Sequence, residues 1–358
     1  GHSVPDAANG TPTKDGRVVF GQFHKRFFMA FQTRISGPIR LLIAVSKSEN
    51  PQDGWWTYED NMQNDGVTGQ DYMWMGINAS HLLISNQVQY PGQPNPVGVT
   101  RHLMYRNSAL VDGKPLDRTE WSHPDGRNAV PCVHNSYTTD SFWIRRDDDS
   151  HIRVFAVRQG KVEPKQVAIK PSISPGNGMQ KDNVLLSYSN IDRTPQNAEY
   201  RDGKIVFVSN DRITWPGQAT PNNCVRLVRL DVAKFFQNAS KIVTVQIDRL
   251  FGLNNAADPA GSVFDYGWPA VATNAKGDIV VGSIRSNPTI YPEQRANVWF
   301  AGETDISSSV SLKTSQVPLM QFHMAGACAD PVSNAVYLAQ QWADTPTMWR
   351  IHIAKMLS

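Results

Sequence analysis

Residues 266–302 constrain the fold of this 358-residue chain more than any other stretch. Three β-type runs follow one another there, at 268–273, 278–285 and 296–301. The first two are joined by Asn274-Ala275-Lys276-Gly277, a short turn whose glycine can take the positive φ of a tight hairpin. Ile279-Val280-Val281 is apolar without alternation, which predicts a strand covered on both faces. A unit of this kind cannot bury its own surface. It needs neighbours built the same way.

The rest of the chain supplies them as imperfect copies. Strand-like runs at 17–22, 26–32, 40–46 and 55–59 make a first unit, and runs at 72–77, 81–87 and 101–107 make a second. A third unit runs 131–136, 141–146, 152–157 and 165–170, and a fourth 196–201, 204–210, 225–230 and 242–248. The stretch already described is the fifth. Runs at 324–329, 335–341 and 348–354 give a sixth. Short helical turns are expected at 108–113 and 231–237, and 171–183 reads as a linker between units.

Six units of about 50–60 residues fall in the range of propeller repeats, and a closed ring explains how so much strand avoids open edges. The expected fold is all-β: a β-propeller of four-stranded antiparallel blades, six or seven in number. Residues 1–16 are expected to be an N-terminal arm, and 17–358 a single domain. A content of 25 glycines and 23 prolines suits turn-rich β structure.

Composition excludes several roles. The net charge of +3 is small and dispersed, and no Lys/Arg cluster alternates with aromatics, so nucleic acid is not an expected partner. No apolar run approaches the roughly 18 residues of a membrane span. Cys132, Cys224 and Cys328 have no zinc spacing and read as buried small hydrophobes. The acidic tip Asp147-Asp148-Asp149 reads as a solvated turn, because the Gly and distal Glu of a calcium loop are missing. No cofactor is expected, with a structural calcium ion the one exception left open, and no metal-ligating residues are assigned. No motif of a serine hydrolase, zincin or nucleotide-binding protein occurs. Gly1-His2-Ser3 reads as a cloning scar, and a secreted or periplasmic monomer is expected.

Four segments resemble a family of secreted bacterial proteins of the sialidase-like, BNR-type β-propeller group. They are Leu42-Ile43-Ala44-Val45-Ser46 with Asn50-Pro51 and Trp56, Asp71-Tyr72-Met73-Trp74-Met75-Gly76, residues 266–292, and residues 322–331. His323-Met324 stands where that family has Gly-Asp. The resemblance implies the propeller fold and carries little chemistry, since propellers host many unrelated functions.

In a propeller the first strand of each blade lines the channel, so residues leading into those strands converge. They are Asp71 and Tyr72, His134 and Asn135, Arg193, Asp265 with Tyr266 and Trp268, and Phe322 and His323. Two schemes follow. In the preferred one, a polysaccharide lyase acts on an acidic glycan by β-elimination, with His134 or His323 as base, Tyr72 or Tyr266 as acid and Arg193 clamping the uronate carboxylate. In the other, Asp71 and Asp265 are the paired carboxylates of a sialidase-like glycoside hydrolase. Asp71, Asp265, Tyr266, Trp268 and Arg285 are the expected substrate-binding residues, and a polysaccharide or oligosaccharide the expected partner. A third reading is a non-catalytic propeller that holds glycan or protein. Each residue also has a plain role open to it: His134 bonded to a carbonyl, the aspartates capping turns, the aromatics packing between blades, Arg285 a solvated loop residue.

Overall fold

The computed structural model describes residues 13–33, 39–92, 99–121, 128–188, 194–237, 239–252, 263–307, 309–319, 325–345 and 348–356. Two compact units divide the chain: Gly1–Arg145 with Val154–Pro164, and Arg146–Arg153 with Lys165–Ser358.

The first unit opens on an antiparallel meander, β1 (Thr13–Gly21), β2 (Arg26–Thr33), β3 (Arg40–Ser46) and β4 (Trp55–Asn61). The strand β1 includes Thr13–Gly16, the last residues of the expected N-terminal arm. Next come β5 (Gly69–Ile77), β6 (His81–Gln89) and β7 (Val99–Arg106), then the one-turn helix α1 (Asn107–Val111) and β8 (Arg118–Trp121). Leu41, Ile43, Met73, Leu82, Ile84 and Leu103 lie in the core between the two groups. The strand β9 (Val130–His134) pairs in parallel with β5 at Ile77 and Val133. The chain passes between units along β10 (Ser141–Arg146), β11 (His151–Arg158) and β12 (Lys161–Ala168).

In the second unit the expected linker is in part a hairpin, β13 (Asn177–Gln180) with β14 (Val184–Ser187). Two four-stranded groups follow: β15 (Asn197–Arg201), β16 (Lys204–Ile213), β17 (Asn222–Asp231) and β18 (Thr244–Phe251), then β19 (Asp265–Thr273), β20 (Ile279–Asn287), β21 (Ile290–Trp299) and β22 (Val310–Thr314). The last group is β23 (Ala325–Ala329), β24 (Val336–Thr345) and β25 (Met348–Met356). The groups begin and end close to where the sequence put them. The additions are β8 and β22, short outer strands whose polar composition gives no alternation to detect. The expected helix at 231–237 is a pair of turns, since Phe235 and Gln237 donate only to carbonyls three residues back.

The turn 274–277 forms as read: Asn274 Oδ1 accepts from the amides of Lys276 and Asp278, and Gly277 takes φ +91°. All nine residues of β20 are buried, including Ser283, Arg285 and Asn287. Buried polar groups need partners there: Arg285 and Asn287 have them, whereas the Ser283 hydroxyl has none among the described residues. Arg226, fully buried in β17, donates to Asp211 at 3.1 Å, to Asp248 and to the Lys170 carbonyl at 2.8 Å. None of the three cysteines is in a disulfide; Cys132 and Cys224 are buried, whereas Cys328 is exposed, against expectation. In the acidic tip, Asp147 pairs with Arg153 at 2.7 Å, and Ser150 and His151 hold Asp148 down to about 2. No described helix is long and apolar enough to cross a membrane.

Removing one member of a buried ion pair strands the others, at a cost of about 3–5 kcal/mol, whereas an exposed pair is worth under about 1 kcal/mol. Urea denaturation should therefore show Arg226→Ala losing several kcal/mol. Arg158→Ala, which removes a half-exposed partner of Asp140, should lose little. Equal losses would mean that the Arg226 network does not carry the load assigned to it.

Candidate active site around Asp265

Three structural features decide which strand-start residues are available for chemistry: a bulge, a glycine and a packed hairpin. In β19 the pairing with β20 slips between Gly267 and Ala270, and Trp268 sits in the left-handed region at φ +49°. A bulge re-aims the side chains on either side of it. Tyr266 consequently joins the cluster of Val206, Val225, Leu227 and Phe251, and Trp268 joins Leu186, Tyr188 and Ile284. Both rings are buried. They are packing residues, which corrects their expected role as sugar platforms. Asp265, just before the bulge, stays half-buried.

The Asp265 carboxylate is closely held. Its Oδ1 accepts from the backbone amide of Asn223 at 2.9 Å and from Asn223 Nδ2 at 2.8 Å, and the Met179 amide is a third donor. Gly178 permits the approach of β13: a Cβ there would lie 2.7 Å from Asp265 Oδ2. Burial raises the Asp265 pKa, and the three amide donors and the Arg212 guanidinium only partly offset it. Tyr188, completely buried, shares a hydroxyl hydrogen bond of 2.9 Å with Ser286 and lies 3.4 Å from the Asp265 carbonyl.

The hairpin β13–β14 brings a second carboxylate to this region. β13 packs against β17, β20 and β21, and Asp182, three residues beyond Met179, accepts the Tyr291 hydroxyl. Lys181 Nζ lies 4.9 Å over the Tyr291 ring. Three residues of chain reach at most about 10 Å, which bounds the backbone distance of Asp182 from Met179. Sequence reading missed Asp182 and Tyr188, which enter with a hairpin that reads as a linker, and Asn223, which lies at the start of β17.

Arg285 is not a solvated loop residue. It pairs with Glu293 at 2.6 Å, lies 4.3 Å over Phe264, and reaches the Tyr266 hydroxyl at 3.5 Å. Arg295 joins Glu293 at 3.2 Å. Burial alone would raise Glu293, but Ser311 and the two guanidinium groups hold it below its usual range. Burial pushes Tyr266 up to about 12 against its Ser309 hydrogen bond. This network is buried and satisfied, and Arg285 spends its charge on Glu293.

In the first unit, Tyr72 also takes a left-handed φ of +40°, at a β-bulge between Asp71 and Met73. It stacks on Trp74, with centroids 6.2 Å apart, while Asp71 is exposed and caps the Tyr72 amide at 3.0 Å. His134 is buried at the far end of β9, stacked on Phe142 at 5.9 Å, and burial pulls its pKa down to about 3. The pairing of Ile77 with Val133 sets His134 level with the end of β5, five residues or roughly 16 Å beyond Tyr72. His134 and Tyr72 therefore do not meet as base and acid. His323 and Arg193 lie outside the described residues. Among the described residues no group of three or more His, Cys, Asp or Glu side chains stands at metal-binding spacing.

No known protein family and no curated protein matches the chain in sequence. Solved structures do. The α-L-arabinofuranosidase of Fusarium graminearum, in complex with arabinobiose, aligns over 96% of this chain and 92% of its own, with TM-score 0.50 and 14% identity. The NanB sialidase of Streptococcus pneumoniae aligns over 96% of this chain and 67% of its own, with TM-score 0.50 and 7% identity. The fold is a β-propeller. At these identities the likeness speaks of fold alone.

A folded-state pKa above the unfolded one contributes stability that is present below the unfolded pKa, about 3.9 for aspartate, and is lost as pH rises through the folded value. The stability of the wild type relative to Asp265→Asn should therefore fall with rising pH in the window above about pH 4 in urea titrations. A difference that grows with pH over that window would mean that Asp265 is held down instead.

Proposed function

We propose that this chain is a carbohydrate-active propeller enzyme that cleaves a glycosidic bond, with Asp265 as proton donor and Asp182 as the second carboxylate. The observation that carries the reading is a half-open carboxyl pushed upward by burial and fixed by three N–H donors. A raised carboxyl keeps a proton for a leaving-group oxygen. Asp182, on the exposed side of the hairpin beside the Tyr291 ring, is placed to activate water or to meet the sugar. Tyr291 offers the partly open aromatic face that the enclosed Tyr266 and Trp268 do not. The substrate is an oligosaccharide or polysaccharide, and residues 17–358 act as one domain of a secreted or periplasmic monomer.

Hydrolysis is favoured over β-elimination because the one described histidine among the expected bases, His134, is enclosed and kept neutral. Two readouts separate the schemes. New reducing ends without absorbance near 235 nm mark hydrolysis, and that absorbance marks an unsaturated uronate.

On a panel of neutral and acidic glycans the wild type should release reducing ends. Asp265→Asn should lower kcat by about 10²–10⁴-fold, the usual share of general acid catalysis. His134→Gln should keep kcat within a few-fold. Full activity in Asp265→Asn, or absorbance near 235 nm that disappears in His134→Gln, would overturn the assignment. Thermal stabilisation by glycan with no turnover would show a binding propeller.

A further inference from the structure

At the opposite end of β19 from Asp265, the second unit has a cleft of about 280 Å³. Its walls are two hairpin ends, the β15–β16 turn with Arg201, Asp202 and Lys204, and the β19–β20 turn with Thr273 and Lys276, closed by Arg229 of β17. Thr273 is eight residues along β19 from Asp265, roughly 25 Å at strand rise, so this cleft is separate from the site above.

The lining is unusual in how its polar groups are satisfied. Elsewhere in the unit the buried arginines are paired, Arg226 with Asp211 and Asp248, Arg285 and Arg295 with Glu293. Among the described residues neither Arg201 nor Arg229 has an ion pair or a side-chain hydrogen bond, and the Nε of each is buried without a protein partner. The hydroxyl of Thr273 is buried beside them in the same condition. Two lysines add positive charge and Asp202 and Glu199 negative charge, the Glu199 carboxylate accepting the Thr273 amide at 2.7 Å. Burying an unpaired cation or hydroxyl is costly, and a guanidinium presents parallel donors that fit two oxygens of one oxyanion. Burial also lowers the pKa of Arg229, consistent with its lack of a counter-charge.

We propose that this cleft is an oxyanion-binding site, in which the guanidinium groups of Arg201 and Arg229 and the Thr273 hydroxyl hold a sulfate-type or carboxylate group. The volume admits a group of monosaccharide size or smaller. The oxyanion can arrive as a free inorganic anion or as a substituent on a sugar, and the same contacts serve both.

The test is thermal shift and calorimetry with sodium sulfate, galactose 6-sulfate and glucuronate, each against sodium chloride at matched ionic strength. The wild type should be stabilised by at least one oxyanion beyond the chloride control. Arg229→Met and Arg201→Met should each weaken that binding at least ten-fold. Without anion their Tm should be unchanged or higher, because a half-buried cation with no counter-charge has been removed. Asp265→Asn should keep the full response. A stronger response to the sugar anions than to sulfate would assign the site to a saccharide, and an equal response to a free anion. The proposal fails if no oxyanion exceeds chloride, if either arginine variant responds like the wild type, if both lose Tm without anion, or if the response disappears in Asp265→Asn.

Discussion

The bulge at Trp268 is the constraint on which the rest of the site depends. A tryptophan at φ +49° is strained by about 1–3 kcal/mol and persists only where its surroundings over-determine it. Here its amide donates to Asn210 Oδ1 at 2.8 Å and its indole nitrogen to the Ser187 carbonyl at 3.2 Å, so the strained residue is anchored to β16 and β14. The slip it causes sends Tyr266 and Trp268 into two different cores and leaves Asp265 at the boundary, half-open and short of water. The raised carboxyl is thus a product of backbone geometry, since the same Asp in an unbroken strand would have a different set of neighbours. Tyr72 repeats the device in β5, with its own Asp one residue before it.

Around that boundary the dominant physics is the burial of strands on both faces. β20 is buried along its whole length and yet contains Arg285, Ser286 and Asn287, so its polar atoms have to be answered from neighbouring strands. Glu293 answers Arg285 and Arg295, the Tyr188 hydroxyl meets Ser286, and Asn287 closes its own turn by accepting the Thr289 and Ile290 amides. Asp265 and the partnerless Nε atoms of Arg201 and Arg229 lie at opposite ends of the same pair of strand groups.

Much of the fold was legible in the sequence because its signals are local. Apolar runs such as Ile279-Val280-Val281, the Asn274–Gly277 turn and the Asp202-Gly203 hairpin mark strands and their reversals without reference to anything distant. The outer strands β8 and β22 escaped because an edge with one exposed face and few apolar residues has no period to read. The site was legible only in part. Asp265 could be found from its place at a strand start, but the roles of Tyr266 and Trp268 turned on a one-residue register slip, and that of Arg285 on the Glu293 that register sets opposite it on β21. His134 looked like a strand start, whereas the pairing of Val133 with Ile77 puts it at a strand end. The hairpin at 177–187 is rich in Gly, Asn and Lys, which reads as a linker until its packing against β17, β20 and β21 is seen.

The central claim is that Asp265 faces the scissile bond. A crystal structure of the catalytically slowed protein with a bound oligosaccharide tests it most directly. The account predicts a glycosidic oxygen within about 3 Å of an Asp265 carboxyl oxygen, with Tyr291 against a sugar ring. An oligosaccharide bound without contact to Asp265, whose carboxylate stays bonded only to Asn223 and Met179, would contradict it.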